Sequence, residues 1–165
     1  NRERSWKPEY AEAEWKWYLS EDNSIGKLGE IYGTIPQIWY KMADAAGKVN
    51  SNYGWQWGRN NQIDYIVDLL KNNKDTRQAA ISIYDAKEHD CYSKDTPCTY
   101  AVQFTILHGR LNMCVVMRSN DLWYGFCNDQ YCFSKLQEMI SLELGIETGT
   151  YYHFAHNMHL YNNKI

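Results

Sequence analysis

The sequence has no CxxC pair and no cysteine–histidine spacing of a zinc site. Its five cysteines are an odd number, so reduced thiols in a cytosolic compartment fit better than a disulfide frame. It has no excess of positive charge. A net charge of −3 removes the electrostatic case for a nucleic-acid polymer or an anionic membrane surface as partner. No apolar run approaches membrane-spanning length, and the N-terminus has no apolar signal-peptide segment. Asn1 stands where an initiator Met is usual, as in a processed or trimmed chain. Internal repeats, low-complexity stretches and linkers are all missing. The 165 residues are therefore expected to form one domain with a real core.

What is present is ordinary in bulk, with 44% hydrophobic and 22% charged residues. Seven Trp and 14 Tyr are many for this length. Such rings either fill a core or line a pocket for a flat ligand. Ser5-Trp6-Lys7-Pro8 reads as a helix start, with a helix from Pro8 to Leu19 whose Trp15, Tyr18 and Leu19 face the core. Glu14 borders that stripe, and on its own reads more readily as a solvated edge residue than as a buried functional acid. A short helical piece near Ile25–Ile31 follows, then a helix from Pro36 to Ala46 ended by Gly47. Residues 50–55 are turn-rich, and residues 61–72 form a helix with Ile63, Ile66, Leu69 and Leu70 on one face. Strands are expected at 79–84, 98–107, 111–118 and 149–161. His108-Gly109-Arg110 makes a hairpin, and residues 85–97 form a polar, mobile excursion. A helix from Tyr131 to Leu144, capped by Gly145, carries Phe133, Leu136, Ile140 and Leu144 in register. Helices, then strands, a helix and a strand give an α+β class.

The stretch Arg118–Gln130 concentrates polar chemistry between an apolar strand and that helix. It reads as a loop on a rigid scaffold. An Arg beside a Ser suits a dianionic phosphate, although a surface turn with an ordinary ion pair explains the pair equally well. Asp129, taken alone, reads best as the N-cap of the following helix.

Six ordered segments carry a resemblance. They are Glu14–Asp22, Ile38-Trp39 with Val49–Gly54, Asp75-Thr76-Arg77, Thr96-Pro97-Cys98-Thr99, Arg118–Asp129 and His159-Leu160-Tyr161. Together they resemble the thymidylate synthase superfamily, and within it the deoxycytidylate hydroxymethylases of T-even bacteriophages. The resemblance implies a mixed sheet packed with helices, with one sheet face used for dimerisation. It implies Cys98 as the nucleophile that adds to carbon 6 of a pyrimidine, with Glu14, Tyr53 and Asp129 as further catalytic residues. A thiolate suits that addition because it is strongly nucleophilic and leaves readily. Of the other cysteines, Cys114 and Cys132 fall inside regular elements and read as core, while Cys91 lies in the polar loop and Cys127 matches no catalytic position.

The nucleotide-binding residues implied are Arg118, Ser119, Asp121, Asp129, His159 and Tyr161, with Arg77 reaching in from a second subunit of a homodimer. Arg118 is also expected to lower the Cys98 thiol pKa. Gln78 stands where the family usually has a second Arg, and another arginine usual in an N-terminal loop has no counterpart. Ile38, Trp39, Asp121 and Gly125 match positions that contact 5,10-methylenetetrahydrofolate, the implied co-substrate; no metal is implied. Base choice rests on Asp129, eight residues after Asp121, where thymidylate synthases carry Asn. An ionised carboxylate only accepts hydrogen bonds, so it suits the amino group of cytosine and not the carbonyl oxygen of uracil. Thr99 and Asn50–Tyr53 also agree with the phage enzymes.

The expected reaction is hydroxymethylation of dCMP in a cytoplasm, with Glu14 placing the water that completes it. The rival expectations are a thymidylate synthase or dUMP hydroxymethylase, and a truncated, inactive nucleotide-binding or dimerisation fragment.

Overall fold

The structure, a computed structural model, describes residues 6–92 and 94–162. Ser5 of the expected helix start and Ser93 of the polar excursion lie outside the described residues. The first helix, α1, spans Pro8–Leu19 and opens on Pro8, whose missing N–H costs nothing in a first turn. It buries Trp15, Trp17 and Tyr18, but Leu19 points outward at 51% exposure. Leu19 is the last helical residue, and Ser20 ends the helix by turning its hydroxyl back onto the Trp17 carbonyl.

Two short helices follow, α2 at Ile25–Tyr32 and α3 at Gln37–Met42. α3 is shorter than the expected Pro36–Ala46 helix. Ala43 leaves the helical region, and the Asp44 carboxylate takes the amides of Ala46 and Lys48 into a turn of its own. The turn expected at 50–55 is instead the N-terminus of a helix, α4 (Tyr53–Gly58). Asn52 is its cap, its side-chain oxygen accepting from the Trp55 amide at 2.8 Å. α5 spans Gln62–Asn72 and buries Ile66, Val67 and Leu70.

Four strands form one sheet in sequence order: β1 (Ala80–Ser82), β2 (Thr99–Leu107), β3 (Arg110–Asp121) and β4 (Glu147–His159). The first three pair antiparallel. His108 and Gly109 close the β2–β3 hairpin, both at positive φ, the conformation a two-residue hairpin turn requires. The chain returns through α6 (Phe126–Leu144), so β4 pairs parallel with β3. Gly145 ends α6 at φ 66°. Alternation then sorts the sheet into two faces. Leu111, Met113, Val115 and Met117 of β3 lie under the helices, against Phe133, Leu136 and Ile140 of α6. On β4, Tyr152 and Phe154 turn to the opposite face and are each 56% exposed. Cys132 is core, as expected, whereas Cys114 is only half-buried.

The abundant rings mostly fill the core. Trp15, Tyr18, Tyr53, Trp57 and Phe133 form a contiguous cluster with centroids 5.3–6.2 Å apart. That cluster locks α4 against α1 so closely that Gly54 sits on the α1 backbone. A Cβ there would collide with the Tyr18 carbonyl oxygen. Gly54→Ala is therefore expected to destabilise the chain by about 3 kcal/mol or more, read as a lowered urea midpoint. Gly26→Ala serves as the control, since its Cβ meets nothing within 4 Å; it is expected to leave the stability within about 0.5 kcal/mol of wild type or raise it.

Candidate active site

The stretch Arg118–Gln130 is not the loop its composition suggests. Arg118, Ser119, Asn120 and Asp121 are the last four residues of β3, and α6 already begins at Phe126. Only four residues turn the chain. Asp121 builds that turn, its Oδ1 accepting from the amides of Trp123 at 2.7 Å and Tyr124 at 3.2 Å. Since α6 starts five residues before Tyr131, Asp129 lies inside its first turn and is not the N-cap; its own amide donates to the Gly125 carbonyl.

Cys98 immediately precedes β2 and is half-buried. Arg118 lies beside it across the ladder and stitches the segment in place. Its Nε donates to the Pro97 carbonyl at 3.0 Å, and its Nη2 to the Thr96 carbonyl at 2.9 Å and to Cys98 Sγ at 3.7 Å. The guanidinium thus positions the thiol as well as facing it. Its charge does act to lower the thiol pKa, as expected, but burial is the larger effect and, with Asp129 and Asp95, holds the pKa above the usual thiol range.

Glu14 is buried, at 6% exposure, not a solvated edge residue. Its Oε1 accepts from the Tyr10 hydroxyl at 3.3 Å, and Tyr10 in turn accepts from Trp39 Nε1 at 2.8 Å. Burial, reinforced by the charge of Asp129, raises the Glu14 carboxyl to about 8. Tyr53 is buried too, and burial followed by the Asp129 charge pushes its phenol well above the ordinary range.

Asp129 is the group these shifts share. Its charge acts on Glu14, Cys98 and Tyr53 alike, raising the pKa of each. Its Oδ2 accepts from Asn120 Nδ2 at 2.6 Å. Gly125 makes room for this pair: a Cβ there would lie 3.2 Å from Asp129 Oδ2 and 3.3 Å from Asn120 Nδ2.

The remaining candidates fall into three groups. Ser119, Asp121, His159 and Tyr161 share one end of the sheet, where Asp121 pairs with His159 in register and the Leu122 amide donates to the His159 carbonyl. The His159 ring packs edge-on against Tyr161, and its Nδ1 is buried with no hydrogen-bond partner among the described residues. Ile38 and Trp39 lie on α3, Ile38 50% exposed and Trp39 half-buried against Trp17. They offer an apolar face to a flat ring system, whereas Asp121 spends one carboxylate oxygen on its own turn. Arg77 is on the exposed segment before β1, and no hydrogen bond or ion pair among the described residues ties its guanidinium to the other candidates.

Sequence reasoning missed two parts of the site. Asp95 lies in the segment read as a mobile excursion, yet it is 8% exposed and its Oδ2 takes the amide and hydroxyl of Ser51 at 2.7 and 2.8 Å. The tie anchors the approach to Cys98. The other is the pair Tyr151 and His153 on β4, behind Asn120. Their spacing of two, which puts both on one face of β4, was the available signal.

Among the described residues no group of three or more His, Cys, Asp or Glu is placed to hold a metal ion, and no helix is long and apolar enough to cross a membrane.

Comparisons with known proteins give the family. The thymidylate synthase family model matches residues 2–165. The chain is 30% identical over 172 residues to a thymidylate synthase of Bacillus subtilis subsp. natto, covering 98% of this chain and 59% of that one. It is 35% identical over 153 residues to the deoxycytidylate 5-hydroxymethyltransferase of Enterobacteria phage T4, covering 87% of this chain and 61% of that one. The solved structure of the thermostable thymidylate synthase A from Bacillus subtilis superposes with a TM-score of 0.78 at 30% identity, covering 96% of this chain and 59% of that one. The chain thus spans about three-fifths of the length of these relatives. With its α+β architecture, its family-model match over nearly the whole chain and relatives at 30–35% identity, the chain belongs to the thymidylate synthase family.

Proposed function

We propose that the chain hydroxymethylates the cytosine ring of dCMP. The observation that carries this reading is the Asp129 carboxylate, held as a hydrogen-bond acceptor by the Asn120 amide. An acceptor at that place pairs with an exocyclic amino group and repels a carbonyl oxygen. The similarity to a phage enzyme named for deoxycytidylate supports it.

In this reading Arg118 and Ser119 hold the phosphate, with Arg77 of a second copy, and His159 and Tyr161 hold the sugar. Cys98 loses its proton and adds to carbon 6, which makes carbon 5 nucleophilic. 5,10-Methylenetetrahydrofolate supplies the one-carbon unit when bound, and Ile38 and Trp39 are the residues that fit its flat ring; Asp121 and Gly125 shape the adjoining turn. Glu14 holds its proton at neutral pH because its environment disfavours the anion; it can deliver that proton and, once ionised, take one from water. Tyr53, buried and neutral, supplies a hydroxyl near the reacting ring. The open face of the sheet, with Tyr152 and Phe154, takes the second copy.

Incubating the protein with dCMP or dUMP and the folate donor tests the reading by product mass. A gain of a hydroxymethyl group on dCMP is expected; a methyl gain on dUMP overturns the assignment. Asp129→Asn is expected to lower kcat/KM for dCMP at least ten-fold and to relax base preference, and an unchanged preference counts against the role given to Asp129.

The Glu14 shift also predicts a pH dependence of stability. Its folded pKa, about 8, lies above the ordinary carboxylate value. The folded state therefore favours the protonated acid. This stabilisation is complete below about 4.5 and is lost as pH rises toward 8. Between pH 5 and pH 8, wild type is expected to lose on the order of a few kcal/mol more stability than Glu14→Gln, read from paired urea titrations.

A further inference from the structure

A hydrogen-bonded chain runs behind Asp129, and the reaction as described above leaves it without a task. The Tyr151 hydroxyl is 2.7 Å from His153 Nδ1. His153 Nε2 is 3.2 Å from Asn120 Oδ1, and Asn120 Nδ2 is 2.6 Å from Asp129 Oδ2. Asn120 is buried at 3% exposure, so its amide has little water to turn to. Phe126, the first residue of α6, packs edge-on against the His153 ring at 5.4 Å and fixes its plane.

With Asp129 ionised and the His153 ring neutral, donor and acceptor capacities leave one consistent assignment. A carboxylate accepts only, so Asn120 presents its NH2 to Asp129 and its oxygen to His153. That oxygen accepts only, so His153 carries its proton on Nε2 and its Nδ1 accepts from the Tyr151 hydroxyl. Burial lowers the His153 pKa, which favours the neutral ring this scheme needs. The opposite polarity exists only with a protonated Asp129, a flipped amide and the other histidine tautomer. The state of the base-reading carboxylate is thereby coupled to a residue two hydrogen bonds away.

We propose that His153, aided by Tyr151, is a specificity-positioning residue: its Nε2–H fixes the Asn120 amide, which holds Asp129 as the acceptor that selects an amino-bearing pyrimidine. The inference rests on the dCMP reading for its substrate but not for its wiring. Neither residue touches the base in this scheme. They act through Asn120, and removing them leaves an amide free to rotate and a carboxylate with a weakened donor.

Four proteins test it: wild type, His153→Phe, His153→Gln and Tyr151→Phe. Long-range proton–nitrogen spectra of histidine-labelled wild type at neutral pH are expected to show the Nε2–H tautomer at His153; the Nδ1–H tautomer overturns the proposal. His153→Phe is expected to lower the ratio of kcat/KM for dCMP over dUMP by about ten-fold, the effect of one hydrogen bond to a charged group's partner. His153→Gln can still donate to Asn120 Oδ1 and is expected to stay within about three-fold of wild type. Tyr151→Phe removes only a hydroxyl and serves if the ring replacement fails to fold; it is expected to lower the ratio about three-fold. A ratio unmoved in His153→Phe and Tyr151→Phe, or equally damaged in His153→Gln, overturns the proposal. A wild-type enzyme acting on dUMP alone sinks the substrate reading instead, and the tautomer still decides the wiring.

Discussion

The hydrogen bond between Asn120 and Asp129 joins the end of a strand to the first turn of a helix, and much of the site depends on it. At 2.6 Å it is a short contact, made by a buried amide to a carboxylate in partly desolvated surroundings. It holds a negative charge where Glu14, Cys98 and Tyr53 all feel it. Their raised pKa values are one consequence of burying these groups together near a fixed anion. Gly125 permits the approach, since any side chain there would press on both partners.

Arg118 is the counterweight. It is the cation beside the thiol, yet two of its donors go to the carbonyls of Thr96 and Pro97. In the free chain burial outweighs its attraction, and the thiol stays protonated. Asp95, anchored by Ser51, stiffens the same segment from the other side.

Much of this was legible in sequence because periodicity is local. The burial of Trp15 and Tyr18 on α1, the β2–β3 hairpin and the register of Phe133, Leu136 and Ile140 follow from spacing alone, Leu19 excepted. The failures have physical reasons as well. Residues 118–121 look like a loop because they are polar, but they sit where a strand runs out into the site and can turn polar groups toward it. Residues 50–55 look like a turn because Asn and Ser are turn formers, but Asn52 uses the same chemistry to cap α4. Residues 85–97 look mobile, and the burial of Asp95 by a partner 44 residues away is invisible to any local window.

The order of motifs along the sequence determined the family, the α+β class and the residue types the chemistry needs, since a thiol, an arginine and a pair of acids are properties of side chains. Tertiary structure decided what those side chains are like. It buried Glu14 and made it an acid that keeps its proton at neutral pH, it turned Arg118 into a brace, and it brought His153 from a distant strand to the back of Asn120. Charge states and hydrogen-bond polarity depend on desolvation and on neighbours remote in sequence, and only the folded chain supplies both.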